Sequence, residues 1–264
     1  MASERASHPM FLGVSALIFA VSVAVTIAWC TSMSAMGGMP MPGGWTMSMA
    51  WMRMCGQTWP GVASSFLSMW VVMMVAMMLP SLLPMLWRYR QAVGRIGETR
   101  LASLTVLVGA GYFFVWTVFG MAAFALGTTL AALEMQLPAL AQAVPIAIGV
   151  VVLIAGALQF TAWKAHHLAC CREAPRGSRT LPANAGTAWR HGIRLGLHCG
   201  YCCVGLTAIL LVIGGMDLRV MAAVTAAITV ERLAPASGRV ARAIGAIVVL
   251  AGLVLIASAA GALG

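Results

Sequence analysis

The sequence is short of charged residues, and acidic residues are the scarcest of all. Only 8% of its 264 residues are charged, with 6 Asp and Glu against 16 Lys and Arg, whereas 61% are hydrophobic. A soluble domain carries roughly a quarter charged residues, so the composition excludes an ordinary soluble fold. It predicts an all-α protein, a polytopic bundle of transmembrane helices that forms a single domain over residues 1–264.

Motifs of several function classes are also missing. The sequence has no Gly-x-Ser-x-Gly motif, no P-loop and no aspartate in a soluble domain that could be phosphorylated. These absences exclude an ATP-driven pump and give no support to hydrolysis, so an enzyme is not the favoured interpretation. The net charge of +10 does not indicate a nucleic-acid partner, because the basic residues lie in loops and at helix ends, where they contact lipid headgroups.

Long uncharged runs give the expected number of spans. A span needs about 20 mostly apolar residues. Six runs meet that length, namely 10–30, 62–87, a stretch within 101–133, 143–163, 195–216 and 243–263. The shorter run 220–230 makes a seventh if Glu231 and Arg232 enter the membrane edge. With seven spans, a cytoplasmic N-terminus and an outer C-terminus, fourteen of the 16 basic residues lie inside, as the positive-inside rule requires. We therefore expect a multi-pass protein of the bacterial inner membrane.

Two segments of the form His-x-x-x-Cys-Cys lie at the ends of a predicted cytoplasmic loop at 164–196. HHLACC occupies 166–171 and HCGYCC occupies 198–203. Residues four apart share a helix face, so each segment can present two or three ligands where the fourth and fifth spans end close together. Thiolate with imidazole suits a copper ion, with zinc as the second choice. The predicted metal ligands are His167, Cys170, Cys171, His198, Cys199, Cys202 and Cys203.

The same cysteines have two other interpretations. Free cysteine is often a small buried apolar side chain, but two vicinal pairs with three histidines favour metal binding. A structural disulfide is the weakest alternative, because the inner side of the membrane is reducing. Nearby, Glu231 is either a functional intramembrane acid or a partner of Arg232 or Arg194.

Five stretches of the chain, taken together in their order and spacing, form a specific pattern. They read MWVVMMVAMMLPS, GYFFVWTVF, WKAHHLACCREAP, HGIRLGLHCGYCC and VERLAP. Together they resemble a family of predicted metal-binding integral membrane proteins of unknown function, over about residues 70–235. In that family the first Cys/His segment typically reads Lys-x-x-Cys-Leu-x-x-Cys-Arg, and here His167 stands at the first cysteine. The resemblance implies metal binding and no established reaction.

The predicted outer loop at 31–61 is rich in methionine. Residues 33–54 contain eight of the 20 methionines and four glycines, so core packing explains the thioethers poorly. Thioether sulfur selects Cu(I) and is not lost to disulfide formation in an oxidising compartment. The alternative is an interfacial loop in which methionine packs beside belt tryptophans. The predicted copper ligands in this loop are Met33, Met36, Met39, Met41, Met47 and Met49.

Sulfur also runs along the second predicted span. Met73 and Met77 extend a row that starts at Met69, and we expect them to bind copper on a path leading inward, although ordinary gap filling in helix packing is the simpler explanation. Cys30 and Cys55 both lie outside. They either form a disulfide, which would stabilise the protein by about 3 kcal/mol by restricting the unfolded chain, or they bind copper.

The favoured function is therefore soft-metal binding by a membrane protein that transports or transfers Cu(I) across the inner membrane. The alternative is an accessory subunit or assembly factor of a copper-dependent membrane enzyme, without transport of its own. The expected partners are the lipid bilayer and either the subunits of such an enzyme or a copper chaperone.

Seven spans predict where the C-terminus lies. A reporter fused at Gly264 should be active on the outer side, because fourteen basic residues then remain inside. A reporter that is active inside would show that one of the seven spans is wrong. The short run 220–230 would be the first suspect, and without it Arg239 and Arg242 change sides.

Overall fold

The protein is built almost entirely of helices. The computed structural model describes residues 2–35, 37–53, 56–93, 97–172, 182–214 and 217–263. Its α-helices are α1 (Ala2–Ala35), α2 (Trp59–Ala92), α3 (Glu98–Gln136), α4 (Pro138–Leu158), α5 (Ala162–Arg172), α6 (Ala185–Gly214), α7 (Leu218–Leu233) and α8 (Ser237–Leu263). Between α1 and α2 lie the strands β1 (Met39–Met41) and β2 (Trp45–Met47) and a 3-10 turn, Met49–Trp51. The predicted all-α fold is confirmed.

Six helices are long and apolar enough to cross a membrane. They are α1 from Pro9, α2, α3, α4, α6 and α8, which is compatible with a multi-pass membrane protein. The predicted seventh span, 220–230, lies in α7, which has 16 residues and is about 24 Å long. Because a hydrocarbon core is about 30 Å thick, length alone does not make α7 a span, and seven crossings stay a prediction.

The interior of the bundle is formed by α2, α3 and α6. The indole Nε1 of Trp70 on α2 donates to the carbonyl of Trp116 on α3 at 2.8 Å, and the rings of Phe66 and Phe124 lie 5.2 Å apart. Phe66 contacts Phe124 and the later residue Trp70 contacts the earlier residue Trp116, so α2 and α3 are antiparallel. In contrast, α8 exposes a row of large apolar side chains, including Ile247 and Leu250 at 67% and 64% exposure, which suits contact with lipid.

Glycines let α3 and α6 approach until their backbones touch. Gly192 lies against Val108, Gly196 against Tyr112 and Val115, and Gly200 against Phe119. The partner numbers rise together, so these helices run parallel. Small residues are the usual means of close approach between membrane helices, and this contact fixes the height at which the cysteines of α6 face α3.

The methionine-rich segment folds into a hairpin against the start of α4. Met39 is paired with Met47 across the two strands, and the turn uses Gly43 and Gly44 at positive φ. Trp45 Nε1 donates to the carbonyl of Ala141 at 2.8 Å. Met47 is buried at 2% exposure, so part of this predicted loop belongs to the protein interior.

The α3–α6 contact can be tested with a pair of glycines. Gly192→Ala should destabilise the protein by about 1–3 kcal/mol, because a Cβ there would collide with the carbonyl of Val108. Gly109→Ala, on α3, is the matched control, since nothing lies within 4 Å of that Cβ. Thermal unfolding in detergent micelles measures both, and equal melting temperatures would contradict the inferred close contact.

Candidate metal centre

Four buried thiols from two helices lie together inside the bundle. Cys199, Cys202 and Cys203 on α6 have sulfur atoms that all lie within 4.8 Å of one another. Cys171 on α5 joins them, with its Sγ 3.7 Å from that of Cys202. The Cys202–Cys203 and Cys199–Cys203 sulfur distances are 3.5 and 3.9 Å. We call these four residues the thiol cluster.

The separations suit ligands of one metal ion. Two sulfurs bound tetrahedrally at about 2.3 Å from an ion lie about 3.8 Å apart, and neighbouring sulfurs of the three α6 cysteines lie 3.5 and 3.9 Å apart. Cys171 lies 3.7 Å from Cys202 but is not in the group whose sulfurs all lie within 4.8 Å of one another, so it borders the three-cysteine site. Each of the four cysteines is at most 2% exposed. The buried thiol cluster therefore fits a metal site.

A thioether extends the donor set. Met78 on α2 is completely buried, and its Sδ lies 4.0 Å from the Sγ of Cys199. Thiol and thioether together are the soft donors that Cu(I) prefers. The predicted copper ligands Met73 and Met77 are buried in the same core, but the described contact with the thiol cluster is made by Met78.

A buried arginine lies directly beside the sulfur atoms. Arg232 at the end of α7 is 2% exposed, and its Nη1 donates to Cys199 Sγ at 3.1 Å and to Ser81 Oγ at 2.7 Å. Tyr112 also donates to Cys199, at 3.0 Å. Neither ion pair among the described residues includes Arg232. A metal–thiolate centre carries negative charge, and these donors lie where that charge would be.

The residue next to Arg232 forms a separate buried ion pair. Glu231 Oε2 lies 2.7 Å from Lys164 Nζ on α5, and Lys164 also donates to the carbonyl of Cys202 at 2.6 Å. Both side chains are nearly inaccessible. The sequence suggested Arg232 or Arg194 as the partner of Glu231, and the structure instead gives Lys164, because α5 returns against α6 and α7.

The predicted histidines form a second layer, one helical turn from the thiols. His167 Nδ1 lies 3.3 Å from His198 Nδ1, and both residues are partly exposed. Residues 163–171 of α5 make their contacts with residues 198–202 of α6, so α5 lies against one short stretch of α6. The first Cys/His segment is thus on a helix of its own and not at the end of the fourth span.

Cys170 lies apart from the thiol cluster. Its Sγ is 3.7 Å from His166 Nε2 on the same helix, and it is partly exposed whereas Cys171 is fully buried. The vicinal pair of α5 thus differs from Cys202 and Cys203 on α6, whose sulfurs both face the cluster, because only Cys171 of the α5 pair turns toward it.

The predicted outer sulfurs lie at the other end of α4. Met39, Met41 and Met47 are in the hairpin, Met49 is in the 3-10 turn and Met33 is on α1. Cys30 is a buried free thiol with its Sγ 3.9 Å from Met221 Sδ on α7. Met36 and Cys55 lie outside the described residues, as does the Cys30–Cys55 disulfide that the sequence suggested.

Sequence reasoning did not assign Met78, Arg232 and Lys164 to the site. The signal for Met78 was the second methionine row of the span, which starts at Met74. The signal for Arg232 and Lys164 was charge next to long apolar runs, since such residues are costly in a membrane unless they serve a function.

Six helices long enough to span a membrane, together with buried cysteines that fit a metal site, are compatible with a multi-pass membrane protein that binds a soft metal ion. A family model described as PpoB2, copper chaperone, matches residues 67–255, which is most of the chain and includes the whole thiol cluster. The chain belongs to this copper chaperone family, and its function is related to copper. No curated protein and no solved structure matches the chain.

The buried ion pair makes a prediction about stability. Lys164→Met or Glu231→Leu should destabilise the protein by about 3–5 kcal/mol, because each leaves one buried charge without its partner. The double variant Lys164→Met, Glu231→Leu should be more stable than either single variant. Glu98→Gln is the control, because it breaks the more exposed Arg90–Glu98 pair and should cost at most about 1 kcal/mol.

Thermal unfolding midpoints in micelles measure these four proteins. Additive losses in the double variant would contradict a direct interaction between the two charges.

Proposed function

We propose that this protein is a membrane copper chaperone that holds Cu(I) at the thiol cluster and transfers it across the bacterial inner membrane. The observation that carries the proposal is the contact between Cys171 and Cys202, at 3.7 Å, across two helices. Thiols brought together from separate helices in a reducing compartment suit a metal and not a structural disulfide.

The choice of copper over zinc is supported by the donors and by the family. A thioether borders the thiol cluster at Met78, and thioether sulfur selects Cu(I). Arg232 brings a positive charge to the same place, so a Cu(I) ion held by two thiolates would leave the site close to neutral. Buried charge is costly unless it is compensated in this way.

Transfer across the bundle is supported by sulfur at both ends of it. The hairpin methionines lie at the start of α4, and the thiol cluster lies against Lys164, just beyond the end of α4. Cys30 with Met221, and the buried methionines of α2, lie in one core with the thiol cluster. We propose that the outer methionines capture Cu(I) and that it passes inward through this sulfur-lined core.

Seven crossings are part of the same proposal. Met221 near the start of α7 contacts Cys30, while Arg232 at its end contacts the thiol cluster. We propose that α7 crosses the bundle from the level of Cys30 to the level of the thiol cluster in only 16 residues. Its charged end need not reach water, because that end binds polar partners inside the protein.

An accessory role is the second candidate. The family is described as a copper chaperone, a function that requires holding and donating copper but not moving it across a membrane. In that case the thiol cluster would donate Cu(I) to a copper-dependent membrane enzyme or to a soluble copper chaperone.

The vicinal cysteines of α5 give a sharp test of the thiol cluster. Cys171→Ser and Cys202→Ser should each lose Cu(I) affinity by roughly a hundredfold or more, since loss of a ligand should cost at least as much as loss of its supporting contacts. Cys170→Ser is the matched control and should bind normally, because its sulfur lies apart. Competition with a Cu(I) chelator in reducing micelles measures the affinities, and equal affinity in all four proteins would contradict the site.

The same variants separate transport from an accessory role. Proteoliposomes with the wild-type protein should accumulate Cu(I), and those with Cys202→Ser should not. Normal binding without accumulation would favour the accessory role.

A further inference from the structure

The face shared by α5 and α6 carries two cross-helix pairs, one turn apart. His167 and Cys171 are four residues apart on α5, and His198 and Cys202 are four apart on α6. The imidazoles meet at 3.3 Å and the thiols at 3.7 Å. One helical turn is about 5.4 Å, so an ion bound between the thiols would be one short step from the imidazoles.

The two pairs differ in their access to solvent. Cys171 and Cys202 are at most 2% exposed, whereas His167 and His198 are partly exposed. The rings of Trp163 and Tyr201 lie against His167, with centroids at 4.8 and 5.1 Å, and each is 42% exposed. Exposed Trp and Tyr are typical of the membrane–water interface, so the imidazole pair lies between the thiol cluster and water.

The geometry of the imidazole pair suits a metal ion. Two nitrogens bound tetrahedrally at about 2.0–2.1 Å from an ion lie about 3.3 Å apart, and the two Nδ1 atoms are separated by 3.3 Å. Neutral imidazole is a less soft ligand than thiolate. Cu(I) bound there should therefore move on to the thiols, with one Cu–N bond broken for each Cu–S bond formed and no change in oxidation state. The proton of each S–H bond that breaks passes to the imidazole nitrogen that copper leaves.

We propose that His167 and His198 form a second copper site, distinct from the thiol cluster, through which Cu(I) exchanges between water and the buried thiols. This inference rests on the proposed function, since it requires copper at the thiol cluster. The pair speeds exchange without contributing to the final binding. Its loss should therefore slow copper uptake and copper release by the same factor and leave the affinity unchanged.

The test uses the full-length protein in reducing micelles and Cu(I) supplied as a chelator complex. Uptake and removal of copper are followed by stopped-flow absorbance of the chelator. His167→Gln and His198→Gln should each slow both rates by roughly tenfold or more, with unchanged final occupancy. His191→Gln is the matched control on α6, because His191 stacks on Tyr89, away from the thiol cluster, and both rates should be unchanged.

X-ray absorption at one equivalent of copper supplies an independent readout. Sulfur alone should surround the ion in the wild type and in both histidine variants. Nitrogen ligation at one equivalent of copper would overturn the proposal, because the histidines would then belong to the site that holds copper. Lower copper occupancy in the variants would also overturn it, because the histidines would then be needed for binding or for folding. Unchanged rates would overturn it too.

Failure of this inference is distinguishable from failure of the proposed function. If the wild-type protein takes up no copper, both the proposed function and the exchange site are contradicted. If the wild type takes up copper and the two histidine variants do so at the same rate, only the exchange site is contradicted.

Discussion

Two consecutive residues at the end of α7 hold the site together. Glu231 binds Lys164 on α5, which also contacts the α6 backbone at Cys202. Arg232 binds Ser81 on α2 and Cys199 on α6. Charged groups enclosed by apolar helices need partners inside the protein, so these contacts fix the position of four helices around the thiol cluster. The short α5 is held in place by the same contacts that bring Cys171 to Cys202.

Enclosure of the charges also sets the electrostatics of the site. Lys164 and Glu231 neutralise each other, and Arg232 remains as a positive charge beside the sulfur atoms. An arginine is charged under all ordinary conditions, so the thiol cluster lies in a positive environment whether or not a metal is bound. Such an environment favours anionic thiolates with a monovalent ion over a ligand set of neutral groups with a divalent ion, which agrees with membership of a copper chaperone family.

Helical spacing predicted much of this arrangement from the sequence, but not all of it. Composition predicted the all-α fold, and the i, i+4 pattern indicated which thiols and imidazoles share a face. The pattern does not say which helix face meets which neighbouring helix. The prediction therefore included Met77, whereas Met78 makes the contact with Cys199. It also grouped Cys170 with Cys171, although only Cys171 contacts Cys202. The partner of Glu231 depended on the return of α5 against α6, a tertiary feature that local periodicity does not contain.

The kind of donor changes along the bundle in a way that suits directed transfer of a soft ion. Neutral thioethers outnumber thiols at the hairpin end, where Met39 is opposite Met47 and Cys30 is a free thiol. At the other end, four thiols and the thioether of Met78 lie beside Arg232. Thioethers bind Cu(I) without the cost of a buried negative charge, whereas thiolates bind it more strongly but need a compensating cation. Arg232 supplies that cation only at the thiol end. In the transfer that we propose, Cu(I) would be bound more strongly where the charge is compensated, which would draw it from the methionines toward the cysteines without an energy source such as ATP.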